Sequence, residues 1–226
     1  SGVSQLISAL EKDLRFPVLE RMRNGVRLTE NGQRILPIVR AIVQEEDRLF
    51  QLTSEIRGLS IGRVTIASYP SVASHWLPKV LKKFREKFPH IEIRVMEGIH
   101  QEISARLDQE VDFGFMSYDP HTSYDWIPLA HDPMIAVLPT THPLANASSF
   151  PLSECSNEDF IMPGKGQDID TLGVLSRHNL HPRIAYETIE TAATLGLIEA
   201  GMGITITNSL STEKYDFKVS KIPIEP

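Results

Sequence analysis

The sequence predicts an α/β protein in which two lobes with parallel-rich sheets follow a small basic head and one long helix. Three observations predict it. After Gly62, short apolar runs alternate with helical patterns, the signature of a largely parallel sheet. Between Thr29 and Gly58, apolar residues recur at heptad spacing. Residues 1 to 40 hold seven basic against four acidic side chains, a local +3, so in a chain of net charge −6 the remainder carries −9.

At 226 residues the chain exceeds one domain of roughly 100 to 200 residues, so at least two packed cores are expected. A composition 41% hydrophobic and 23% charged is that of an ordinary soluble globular protein and not of a disordered or membrane chain. Apolar runs stay well short of the roughly 20 residues a membrane helix needs. Ser1 to Leu10 lack the basic start and apolar centre of a secretory signal, so a cytoplasmic protein without a membrane partner is expected. The single cysteine, Cys155, has no partner for an internal disulfide, and Glu154, Glu158 and Asp159 around it disfavour a thiolate. No His/Cys group has zinc-site spacing, so neither metal nor cofactor is expected.

Val3 to Leu14 reads as a helix with Val3, Leu6, Ile7, Leu10 and Leu14 on one face and Ser4, Gln5, Ser8 and Lys12 on the other. Short hydroxyl and amide side chains bond base edges without the bulk that keeps a helix out of the major groove, so Ser4, Gln5 and Ser8 are candidate DNA contacts. After Pro17, two extended runs flank an Asn24-Gly25 turn, with Arg21, Arg23 and Arg27 beside it. A basic hairpin behind a polar-faced helix is the arrangement of a winged helix-turn-helix, whose wing grips the sugar-phosphate backbone. A chance excess of arginine on a solvated face is the plainer reading of the charge alone.

Thr29 as N-cap and Gly58 as C-cap bound the long helix, which Pro37 should kink. Ile35, Val39, Ile42, Leu49 and Ile56, with Glu46 and Thr53 as polar interruptions, form a seam suited to a second copy of the chain. Lobe I is expected as strand Val64–Ala67, helix Ser71–Phe88, strand Ile91–Val95, helix His100–Leu107 and strand Val111–Met116. Ser117–Asp125 reads as a crossover. Lobe II follows as Met134–Leu138, Phe160–Met162, helix Gln167–Asn179, Ile184–Glu187, helix Thr191–Ala200 and Ile204–Thr207. The expected domains are 1–28, 29–59 and 60–226, with lobe I at about 60–118, lobe II at about 125–207 and a return segment at 208–226.

Six blocks carry a resemblance to a family. Val3–Glu11, Phe16–Arg21 and Val26–Gly32 occur in the order found in the DNA-binding region of LysR-type transcriptional regulators. His142–Ala145, Glu199–Ile204 and Val219–Ile224 extend the resemblance over nearly the whole chain. It implies a partial winged helix-turn-helix, a linker helix that dimerises, and a two-lobed, periplasmic-binding-protein-like effector domain. The implied partners are double-stranded promoter DNA, a small-molecule effector and one or three further copies of the chain. In the family about two helices precede the recognition helix, and a further strand and helix return to lobe I, so both ends are expected to be incomplete here.

Ligands of open parallel sheets bind beyond the carboxyl ends of the strands. Four segments qualify: Ser68-Tyr69-Pro70-Ser71, Glu97-Gly98-Ile99, Met116-Ser117-Tyr118 and Pro163-Gly164-Lys165-Gly166. The family's fold implies that they line one interlobe cleft. Ser68, Tyr69, Ser71, Gly98, Met116, Ser117, Gly164, Lys165 and Thr188 are the candidate effector contacts, with Lys165 a counter-charge for an anionic effector. Each serine or threonine taken singly is better read as a helix cap. His75 and Trp76 read as packing residues, and Lys79, Lys82, Lys83, Arg85 and Lys87 as a solvated helix face. Gly164-Lys165-Gly166 lacks the spacing of a P-loop. Two rivals share the two lobes: a transport solute-binding protein, which needs an export signal, and a cleft enzyme, which needs a positioned acid-base pair.

Overall fold

A computed structural model describes residues 2–23, 25–57, 61–108 and 110–226. Asn24 and Gly58, the expected turn and C-cap, lie outside the described residues. In chain order, α1 (Gly2–Leu14), β1 (Leu19–Met22) and β2 (Gly25–Leu28) form the head, and α2 (Glu30–Ile56) runs as one helix through Pro37. Glu11 ties the head together, its carboxylate accepting from the Val18 and Leu19 amides at 2.8 and 3.1 Å. Thr29 caps α2 as expected, Oγ1 accepting from the Gly32 amide at 2.9 Å. Gly32 lets the hairpin lie against α2, because a Cβ there would stand 2.2 Å from the Val18 carbonyl oxygen.

Lobe I follows with β3 (Gly62–Ser68), α3 (Pro70–His75), α4 (Leu77–Lys87), β4 (Ile91–Glu97), α5 (His100–Leu107) and β5 (Phe113–Phe115). Its three strands are all parallel in the order β4-β3-β5. Period two along β3 sends Ile66 to one face, among Val72, Leu77 and Trp76, and Ala67 to the other, against Ile103 and Val111. The expected single helix Ser71–Phe88 is two. Pro78 has no amide to offer the Ser74 carbonyl, and the chain breaks at Trp76. The expected strand Val111–Met116 shortens to Phe113–Phe115 because the Asp112 carboxylate accepts from the Thr65 amide at 2.7 Å and interrupts the ladder.

The crossover carries no regular element; Tyr124 pins it to α5 through hydrogen bonds to the Ser104 carbonyl at 3.1 Å and Asp108 at 2.9 Å. Lobe II comprises β6 (Met134–Pro139), β7 (Phe150–Pro151), β8 (Asp159–Met162), α6 (Ile169–Arg177), β9 (Arg183–Glu187), α7 (Thr191–Glu199), β10 (Thr205–Asn208), α8 (Ser209–Thr212) and β11 (Val219–Glu225). The expected helix Gln167–Asn179 is shorter at both ends, Asp168 capping α6 by accepting from the Thr171 amide at 2.8 Å. β6 lies between β10 and β11, antiparallel to both, while β8 and β9 pair in parallel.

β6 is apolar throughout because both its faces are covered. Ala136 and Leu138 meet Phe150, Phe160 and α6, whereas Ile135 and Val137 meet Ile161 and α7. Each fully buried phenylalanine or isoleucine here contributes roughly 1.5 to 3 kcal/mol. In the His142–Ala145 block the Leu144 amide donates to His142 Nδ1 at 3.1 Å, which places the ring proton on Nε2, 3.1 Å from Glu158. Gly203 has φ +148, and a Cβ there would stand 2.4 Å from the Asp159 carbonyl oxygen where β8 meets β10. Gly203→Ala is therefore expected to cost about 2 kcal/mol or more, read as a lower urea midpoint at unchanged slope.

Candidate effector cleft

Parallel strands of lobe I end together, and four side chains leave that edge. Tyr69 follows β3, His100 opens α5, and Ser117 and Asp119 follow β5. The Tyr69 hydroxyl lies 3.0 Å from His100 Nδ1, and His100 Nε2 lies 3.5 Å from an Asp119 oxygen. Across the cleft, Ser117 Oγ donates to Asp170 in the first turn of α6 at 2.5 Å. Lys165 Nζ reaches Glu102 of α5 at 3.2 Å, a second polar contact between lobe I and lobe II. Glu102 also accepts from the Ile99 amide, which is the larger cause holding its carboxyl below the usual range, with Lys165 second.

Burial pushes the Asp170 carboxyl up, opposed by the Ser117 hydrogen bond and reinforced by Asp168. Burial likewise holds the Tyr69 phenol protonated far above its ordinary range, with the Asp170 charge adding to it. Lys165 has φ +59 between two left-handed glycines, a conformation that costs a non-glycine residue roughly 1 kcal/mol. The Thr188 carbonyl holds it there by accepting from the Lys165 amide at 2.8 Å.

Of the nine expected contacts, Ser117 and Lys165 make the bonds between the lobes described above. Tyr69 bonds to His100 within lobe I. Ser71 lies in the first turn of α3, which has no side-chain cap. Ser68 is buried, its hydroxyl donating to the Tyr69 carbonyl at 2.9 Å, and Thr188 is buried with its hydroxyl 2.6 Å from that of Thr194. Gly98 donates its amide to the Ser68 carbonyl at 3.2 Å, Met116 packs under the sheet, and Gly164 shapes the turn. Sequence reasoning missed His100, Glu102, Asp119 and Asp170. Their one signal is position, since each stands within four residues of a segment already singled out.

In the head, Gln5 and Ser8 are exposed on α1, and Ser4 is half-buried. Arg21 and Arg23 are exposed, and Arg27 pairs with Glu20 across the hairpin at 2.5 Å. Cys155 is buried, which pushes its thiol up to about 12. Among the described residues, no helix is long and apolar enough to cross a membrane.

Two α/β lobes in contact at their parallel-strand ends, carried behind a hairpin and a long helix, define an effector-binding regulatory protein. The chain belongs to the LysR substrate binding domain family, which matches residues 57–226, and is a LysR-type transcriptional regulator. It is similar to the uncharacterized HTH-type transcriptional regulator YvbU of Bacillus subtilis, 29% identical over 214 residues that span 93% of this chain and 72% of the relative. It is also similar to the regulatory domain of Synechocystis PCC6803 CcmR in complex with 2-PG, at 25% identity and TM-score 0.64 over 72% of this chain and 81% of that one. HinK of Pseudomonas aeruginosa, a LysR family regulator, shares the fold at 20% identity and TM-score 0.64 over the whole of this chain and 77% of its own.

Asp170 provides a test of the cleft's electrostatics. Because its folded-state carboxyl sits above the unfolded value, ionising it opposes folding, and stability falls as pH rises through that titration. Asp170→Asn is therefore expected to be the more stable chain near pH 7.5, by about 1 kcal/mol or less, with the difference closing near pH 4 in urea unfolding. A less stable variant near pH 7.5 would show that the bond from Ser117 outweighs the burial.

Proposed function

We propose that this regulator reads promoter DNA with residues 1–28, spaces paired heads with 29–59, and senses an anionic small molecule with 60–226. The observation that carries the reading is the pair of contacts across the cleft, Lys165 to Glu102 and Ser117 to Asp170, which any occupant must exchange for its own. An anionic group takes Lys165 from Glu102, and a hydroxyl or amine takes Asp170 from Ser117. Tyr69 and Ser71 add side-chain bonds, while Ser68, Gly98, Met116, Gly164 and Thr188 supply the walls. The complex of CcmR with 2-PG supports a small molecule in this fold. Binding need only favour one interlobe arrangement to shift its population.

On the DNA side, Ser4, Gln5 and Ser8 face the major groove and Arg21, Arg23 and Arg27 hold phosphates. Exposure of Ile42, Leu49 and Ile56 at 63, 62 and 77% supports α2 as the surface that pairs two copies. The homologous relatives are transcriptional regulators, and we infer a non-enzymatic role in the cytoplasm.

Promoter affinity should fall steeply with salt, and Arg21→Ala and Arg23→Ala should each reduce the slope of log K against log[salt] by about 1. A flat salt response sinks the wing assignment. Lys165→Ala and Ser71→Ala should each lower affinity for 2-PG or another anionic probe by about tenfold in calorimetry. Unchanged affinity removes both from the site. Leu49→Asp should convert the assembly to smaller species in sedimentation velocity.

A further inference from the structure

His75 closes α3 beside α8, one turn after Ser71, and its side chain is 12% exposed. Nδ1 lies 2.8 Å from the Ser71 carbonyl oxygen and 3.1 Å from Ser74 Oγ. A carbonyl can only accept, so Nδ1 carries a proton and Nε2 is the nitrogen that gains or loses one. Nε2 is buried without a hydrogen-bond partner, and 3.8 Å beyond it stands an oxygen of Glu213, directly after α8. α8 follows a strand of the lobe II sheet, yet its Leu210 is buried in the lobe I core among Ile66, Val72 and Leu77. The histidine and the glutamate therefore face each other across the joint between the lobes.

Charges of both signs surround this pair: Lys221 Nζ donates to the Thr212 carbonyl at 2.8 Å, directly before Glu213, and Lys214 follows it. Asp132 accepts from the Leu210 amide at 3.0 Å, and Glu213 acts on it, with His131 alongside. On α4 and β4, packed against α3, Lys79, Lys82, Lys83, Arg85, Glu86, Lys87, Glu92, Arg94 and Glu97 form no ion pair with the ring among the described residues. Glu213 is the facing charge. A neutral ring turns a bare lone pair toward a carboxylate, which neither group satisfies. A protonated ring turns an N–H donor and a positive charge toward the same carboxylate, and charge-assisted contacts of that kind are the strong ones.

We propose that His75 and Glu213 form a proton-operated latch between the lobes, released while the ring is neutral and drawn shut when Nε2 takes a proton from solvent. Acidification therefore biases the interlobe arrangement without an effector. This latch does not depend on the cleft reading. Double electron–electron resonance tests it in the full chain with Lys83→Cys and Arg177→Cys spin-labelled and diluted in unlabelled protein. Cys155, buried and with its thiol pushed up to about 12, does not compete for label. The interlobe distance distribution should shift between about pH 7.5 and about pH 5.5, and the shift should be lost in His75→Gln and in Glu213→Gln. The second variant removes a charge that is more than half exposed and leaves the core intact. An unchanged distribution without the substitutions, or the same shift in either variant, overturns the proposal.

Discussion

Parallel pairing of β3 with β4 and β5 brings three strands to their carboxyl ends along one edge, and the rest of the molecule's polar architecture depends on it. Without that edge Tyr69, His100, Ser117 and Asp119, which are far apart in sequence, would not meet. Antiparallel strands would distribute the same residues over two ends. Lobe II repeats the device with β8 and β9, whose ends carry Pro163 and Thr188. The two edges face each other because the crossover is pinned to α5 through Tyr124 and because Leu210 is seated in the core of the opposite lobe.

Burial of that shared space sets its chemistry. Asp170 and Tyr69 are both pushed toward their protonated forms by desolvation first and by neighbouring carboxylates second. Glu102, nearer solvent, moves the other way because an amide and Lys165 stabilise its charge. Two bonds already span that space, from Lys165 to Glu102 and from Ser117 to Asp170.

The linker shows the opposite economy. α2 touches lobe I chiefly near its end, where Gln51 donates to the Arg63 carbonyl at 2.8 Å and Arg63 pairs with Asp47 and Glu92. Along most of its length apolar side chains stand in solvent, an arrangement ordinary for a helix that meets a partner and costly for one that does not. The head is attached through backbone contacts at Val18, Thr29 and Gly32, which position the arginine hairpin without using its charges.

By itself the sequence determined the order of the elements, the alternation that makes two α/β lobes, the basic head and the heptad seam, because periodicity and local charge are properties of neighbours along the chain. It also marked the loops that carry Ser117 and Lys165, which make contacts between the lobes. Tertiary structure alone decided that Pro78 splits one helix into two, that the hydroxyls of Ser68 and Thr188 turn inward, and that His100, Glu102 and Asp170 enter the site. It likewise decided that Leu210 joins the core of the other lobe and that His75 meets Glu213. Each of these rests on a contact between residues distant in sequence, where burial and partner geometry outweigh local preference, and such contacts exist only once the strands have paired.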